Sequence, residues 1–196
     1  MLTTLSARSC AAAGVVCFVG AVAMHPAAEA HLWAHMTQHL LLVVVASPLL
    51  AVPLVQWRPP HPSVAVVATW TVLHSVALWG WHLPGPFDAA LRSEPLHGIE
   101  HLCLFVTAVG FWWAAIGTVG QGVPGVGVAA VFVTAMQGIA LGGLMTLASH
   151  SWYAGYRLTD QQVAGVIMWC PAGFVYTAVV AAMLYRWLAE RDRVAT

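Results

Sequence analysis

The sequence predicts an all-α, polytopic transmembrane helix bundle of about six spans, with both termini on the cytoplasmic side. Three observations lead there. Of 196 residues, 60% are hydrophobic and only 7% charged, against about 25% charged in ordinary soluble chains. Six apolar stretches approach the roughly 20 residues needed to cross a bilayer. The arginines also fall unevenly across the loops between them.

Taken in order, the expected spans are 9–24, 32–55, 64–82, 97–117, 126–148 and 163–188. They are separated by "HPAAEA", "QWRPPHPS", "PGPFDAALRSEP", "TVGQGVPG" and "HSWYAGYRLTDQ", where proline, glycine and charge interrupt helices. No long linker divides the chain, so residues 1–196 are read as one domain. The first stretch also resembles a secretory signal, with Arg8 before it and a small-residue cleavage pattern at 28–30. A retained anchor is the reading taken; cleavage would leave five spans in the same orientation.

Cytoplasmic loops carry the positive excess. An N-terminus inside places Arg8, Arg58, Arg186, Arg191 and Arg193 in the cytoplasm, and only Arg92 and Arg157 outside. Seven arginines, no lysine and seven acidic residues offer no basic surface for nucleic acid. Cys10, Cys17, Cys103 and Cys170 show no C-x-x-C pairing, so neither a disulfide framework nor a zinc knuckle is indicated.

With this topology eight of the ten histidines gather at the outer face, leaving His61 cytoplasmic and His74 deeper in the third span. An i, i+4 step turns a helical side chain by only about 40° and advances it about 6 Å. "HMTQH" therefore puts His35 and His39 on one stripe, and "HGIEH" does the same for His97 and His101. His74 and His82 share a face on the span between them. Three helices thus direct imidazoles toward one pocket. Taken singly, His25, His31, His97 and His150 read as solvated rings at headgroup level. His39 and His101 lie a turn deeper, where an ionisable group normally faces the bundle and marks a site. Glu100, beside His101, can orient a ligand or neutralise an ion. Imidazole suits copper, zinc and iron, and Met24 and Met36 add soft sulfur, although membrane methionines mostly pack.

Other features have local readings. Trp81 is expected to anchor at the interface, with Pro84 and Pro86 ending the third span and Asp88 capping a short helix. "TDQQ" reads as an N-cap in which Thr159 or Asp160 satisfies amides of the sixth span. Pro171 is expected to kink that span beside the pocket floor, and "GIALGG" to allow close packing of the fifth.

Four blocks, "HMTQHLLLVVVASPLL", "WGWHLPGPFDAAL", "LHGIEHLCLFVTAVGFWW" and "LTDQQVAGVIMWCPAGFVY", occur in the expected order and cover about the last four-fifths of the chain. As a set they resemble the CtaG-type cytochrome c oxidase assembly factors of Bacillus-like and actinobacterial oxidases. The matching positions are His35, Gln38, His39, His82, His97, His101, Asp160, Gln161 and Trp169. The resemblance implies a plasma-membrane protein that works with oxidase subunits and handles copper for their metal centres. Together with the reading of the residues above, it gives His35, His39, His82, His97 and His101 as candidate ligands, with Glu100, Gln38, Asp160, Gln161, Met36 and His74 as candidate supporting groups. The chain departs from the family in having fewer than the usual number of spans, about seven, which leaves homo-oligomerisation open.

The leading expectation is a non-enzymatic assembly factor that binds copper at an outer-leaflet histidine cluster. The alternatives are a bis-histidine haem carrier, with axial ligands from two helices, and a copper transport or resistance protein. Conventional hydrolysis finds no support: there is no H-E-x-x-H, and Ser149 and Ser151 merely adjoin His150 in sequence.

Overall fold

Among the residues described by the structure, 6–58 and 63–195, every regular element in this computed structural model is helical. α1 is Ala7–Ala23, started by Ser6, whose Oγ accepts the Ser9 amide at 3.1 Å. A short α2, His25–Ala30, leads into α3, Leu32–Leu40, a π-helical segment Leu41–Ala46 and α4, Ser47–Trp57. Then follow α5, Val64–Trp81; α6, Pro84–Leu91; α7, Glu94–Gly120; α8, Pro124–Leu147; and α9, Leu158–Ala195. Proline in the first turn of α6, α7 and α8 suits a position whose amide has no helical partner. His61 lies outside the described residues.

Five helices are long and apolar enough to cross a membrane: Leu32–Trp57, Val64–Trp81, Glu94–Gly120, Pro124–Leu147 and Leu158–Ala189. Six comparable spans were expected. α1 is apolar but has only 17 residues, about 25 Å of helix, because Pro26 starts a separate helix just beyond it. The "HPAAEA" break is thus itself helical. Large apolar side chains face outward around the bundle, including Val16, Leu102, Phe132 and Phe174. The chain is a multi-pass membrane protein whose outer surface suits lipid. All four cysteines are free.

α7 is the central helix, packing on α4, α5, α6, α8 and α9. Leu104, Phe111 and Trp112 on it are buried in the main core, against which the half-buried Trp81 also packs. The most extensive helix contact is between α8 and α9. It closes around two glycines: a Cβ at Gly142 would lie 2.8 Å from the Gly165 carbonyl, and one at Gly165 would lie 2.6 Å from that of Gly142. Gly138 and Gly143 of the same motif face open space, so only Gly142 sets the approach.

The π segment follows from a Ser-Pro step inside a span. Proline has no amide hydrogen and its ring clashes with the carbonyl four residues back. Widening to i→i−5 lets the Ser47 amide and its Oγ reach the Leu42 carbonyl, the hydroxyl at 2.6 Å. In that register Pro48 leaves the Val43 carbonyl without a partner, and Trp112 Nε1 donates to it at 2.9 Å. In lipid such a carbonyl has no water to turn to. The widened turn comes directly after His39 and Leu40. Such π turns inside α-helices are frequent at functional sites.

Gly142→Ala is expected to destabilise the detergent-solubilised protein by about 1–3 kcal/mol, since it forces two backbones apart. Gly143→Ala, with open space around it, is expected to be neutral or slightly stabilising, within about 1 kcal/mol. Thermal unfolding of both variants checks the assignment.

Candidate metal centre

The end of α1, α2, the starts of α3, α7 and α9, the ends of α5 and α8, α6 and the 148–157 loop share one end of the bundle. There His35, His39, His82, His97 and Glu100 are buried and His101 is half-buried. α3 supplies His35 and His39, α7 supplies His97, Glu100 and His101, and His82 caps the end of α5. The i, i+4 spacings bring together the rings they predicted. Ring centroids stand 4.4 Å apart for His35 and His39, 4.3 Å for His97 and His101, and 4.8 Å for His39 and His101. His82 approaches His39 at 5.4 Å.

Glu100, with no exposed surface, lies between the two α3 histidines. Its Oε1 is 3.8 Å from His35 Nε2 and 3.6 Å from His39 Nε2, too far for hydrogen bonds. Both Glu100 oxygens, both ring nitrogens of His35 and of His39, and Nε2 of His82, His97 and His101 are sealed without a hydrogen-bond partner. Buried polar atoms are ordinarily paired, and an unpaired one costs about 1–3 kcal/mol. Two donors bound to one ion at about 2.0–2.1 Å stand about 3.3–3.6 Å apart at tetrahedral to trigonal angles. The Glu100 spacings fit a shared cation after a shift of a few tenths of an ångström. Within the chamber two sets bring one donor atom from each residue within 4.8 Å of the others: His35, His39 and Glu100, and His35, His97 and His101.

Backbone carbonyls fix the tautomer of two rings. A carbonyl oxygen only accepts, so His82 Nδ1 donates to Leu78 at 2.7 Å and His101 Nδ1 donates to His97 at 2.9 Å. Each neutral ring is then left with its lone pair on Nε2, aimed at the cluster. His74 is held the same way one level deeper. Thr107 Oγ1 gives its hydrogen to the Cys103 carbonyl at 2.7 Å, so His74 Nδ1 donates to that oxygen at 3.2 Å. His39, His74 and His82 line a cavity of about 50 Å³ together with Met36 and Met168. Met36 is fully buried there, so it packs and faces the cavity at once. Met168 and Ala172, next to Pro171, form part of the same wall, and α9 runs through Pro171 without a break.

Several other expected site residues bond to backbone groups of neighbouring elements. Asp160 does not cap its own helix. It lies in the first turn of α9, and its carboxylate accepts the Leu32 amide at 2.8 Å and the Trp33 amide at 3.3 Å. α3 begins at His31, which provides no side-chain cap, so the acceptor comes from α9. Asp88 likewise lies within α6 and accepts the Ala154 amide at 3.0 Å. Gln161 accepts the Trp152 amide at 2.6 Å and donates to the Met145 carbonyl, pinning the loop to α8. Gln38 ties α3 to the end of α1 by donating to the Ala21 carbonyl at 3.0 Å. Trp169 packs over Gly142. His31 and His150 are exposed. Tyr153 donates to the His82 carbonyl at 2.9 Å and Tyr156 to that of Ala28 at 3.3 Å. Burial, reinforced by Asp160, pushes the Tyr156 phenol up to about 12, and burial also raises Tyr153, so both hydroxyls keep donating.

His25 and Glu94 were not expected at the site. The structure puts His25 Nε2 3.5 Å from Glu94 Oε1, with His25 stacked on His97 at 5.2 Å. The signal was present in α7, where Glu94, His97 and His101 follow i, i+3, i+7 spacing on one stripe. The partner, His25, comes from a separate helix and has no such signature.

The family model described as cytochrome c oxidase caa3 assembly factor (Caa3_CtaG) matches residues 6–190. No curated protein and no solved structure matches the chain.

Asp160→Ala is expected to lower stability by about 1–2 kcal/mol, the value of a lost helix cap. Thr159→Ala is expected to change it by less than about 0.5 kcal/mol. Equal thermal midpoints for the two variants would contradict the capping of α3 from α9.

Proposed function

The chain belongs to the cytochrome c oxidase caa3 assembly factor family, and from that membership and the histidine chamber together we propose that it binds copper on its way to the oxidase. The observation that carries this reading is the set of sealed, unpaired donors: five imidazoles from three helices facing one another and one carboxylate. A cation bound by several of them at once relieves the penalty of leaving each unpaired. Among the described residues, the chamber donors carry a single acidic group, Glu100, so a monovalent cuprous ion makes the inner set neutral in an apolar surrounding. The thioethers of Met36 and Met168 along the adjoining cavity suit that softer ion.

Copper is here a cargo. His35, His39, His82, His97, His101 and Glu100 hold it, and no thiolate lies among them. A receiving oxidase subunit that offers thiolate therefore competes well for it. Binding and release need no bond-breaking chemistry, so the proposed role is not enzymatic. The arrangement favours a bare ion over haem, because the rings already touch at centroid separations of 4.3 to 5.4 Å. A macrocycle between them would require the helices to part. Arg8, Arg58, Arg186 and Arg191 fall at the opposite end of the bundle from the chamber, which supports an extracytoplasmic chamber at the plasma membrane.

The test is metal and haem analysis of the purified protein beside a His35→Ala/His39→Ala/His101→Ala variant. Wild type is expected to retain copper without a Soret band, and the variant to lose at least about nine-tenths of it, an affinity loss of tenfold or more. Equal copper in both, or a Soret band, would overturn the reading. In cells, the same variant is expected to lower oxidase copper content and activity together.

A further inference from the structure

We propose that the mouth of the chamber is a second copper site, built from His25, Glu94 and His97, which captures the ion from water and passes it inward through His97 and His35. The proposal rests on the reading of the chamber as a copper site. One donor atom from each of the three residues lies within 4.8 Å of the others. His25 Nε2 is 3.5 Å from Glu94 Oε1 and 3.7 Å from Glu29 Oε1, so two carboxylates converge on one ring. As ion pairs these contacts are loose and exposed, and worth little to stability.

His97 separates this group from an ordinary surface cluster. It is only 8% exposed, and its Nε2 is buried with no hydrogen-bond partner. It lines a vestibule of about 270 Å³, with Glu29 and Glu94 on the outer wall, Tyr156 at the side and His35 at the inner wall. The Tyr156 hydroxyl bonds the Ala28 carbonyl and so fastens α2, which carries His25, over this space. The vestibule is large enough for a hydrated ion to enter and shed water.

Three donor sets then overlap. His25, Glu94 and His97 lead to His35, His97 and His101, and these to His35, His39 and Glu100. Each set shares one imidazole with the next. An ion can therefore exchange ligands singly and is never stripped of all of them in an apolar interior. Exposure falls along the same route, from Glu94 at 72% to Glu100 at 0% of the side chain. Carboxylate at the rim attracts cations from solution, and imidazole with nearby thioether retains copper at the inner end.

The proposal is tested in lipid nanodiscs with the full chain, supplying copper(I) from a chromogenic chelator and following its transfer over time. A His25→Ala/Glu94→Gln variant, altered only at exposed or half-exposed positions, is expected to load at least about tenfold more slowly while its inner sites still fill. The His35→Ala/His39→Ala/His101→Ala variant is expected to retain only weakly held copper at the mouth. Loading of the mouth variant at the wild-type rate would overturn the mouth site alone. Full copper retention by the chamber variant would overturn the chamber reading and the mouth proposal with it.

Discussion

Glu100 is a carboxylate with no exposed surface, flanked by imidazoles that come near it without bonding to it. Burying a charge or a lone pair in an apolar bundle is tolerable only when something compensates it. The surroundings of Glu100 leave both its oxygens without a hydrogen-bond partner. Backbone carbonyls at Leu78 and His97 take the Nδ1 hydrogens of His82 and His101, and leave the opposite nitrogens free. A protein that meant only to pack these rings would gain by pairing them with each other.

Holding that geometry falls to side chains that satisfy backbone groups on other helices. Asp160 closes the start of α3 from α9, Asp88 holds the loop from α6, and Gln161 ties the loop to α8. Tyr153 and Tyr156 reach the ends of α5 and α2. Each bond satisfies an amide or carbonyl at a helix end or in the 148–157 loop, and each also fixes the relative position of two elements. The Gly142–Gly165 contact sets how closely α9 approaches α8, and so where Asp160 and Gln161 stand. At the deep side, Trp112 repairs the Val43 carbonyl and makes the π turn below His39 affordable in lipid.

The helical class and the histidine pairs were legible because both rest on short-range periodicity. A run of apolar residues gives a span, and four-residue spacing puts His35 with His39, and His97 with His101, whatever the rest of the chain does. The role of Asp160 was not legible, since "TDQQ" carries the pattern of a local cap while its partners lie 128 and 127 residues away. The same limit hid Asp88 and His25, whose partners belong to other elements. The π turn ahead of Pro48 lay inside a stretch read as one span, and only the packing of α7 shows that an indole answers the freed carbonyl. At α1 the apolar stretch expected at 9–24 is a helix of 17 residues, and Pro26 starts a separate short helix just beyond it.

The central claim is that copper is held by imidazole nitrogen with Glu100 beside it, and X-ray absorption at the copper edge addresses it most directly. For the loaded protein in lipid, the account predicts a low-coordinate nitrogen and oxygen shell at about 2 Å with the outer-shell scattering of imidazole. Glu100→Gln is predicted to alter that shell while leaving the imidazole pattern in place. A shell dominated by sulfur, or one without imidazole scattering, would contradict it.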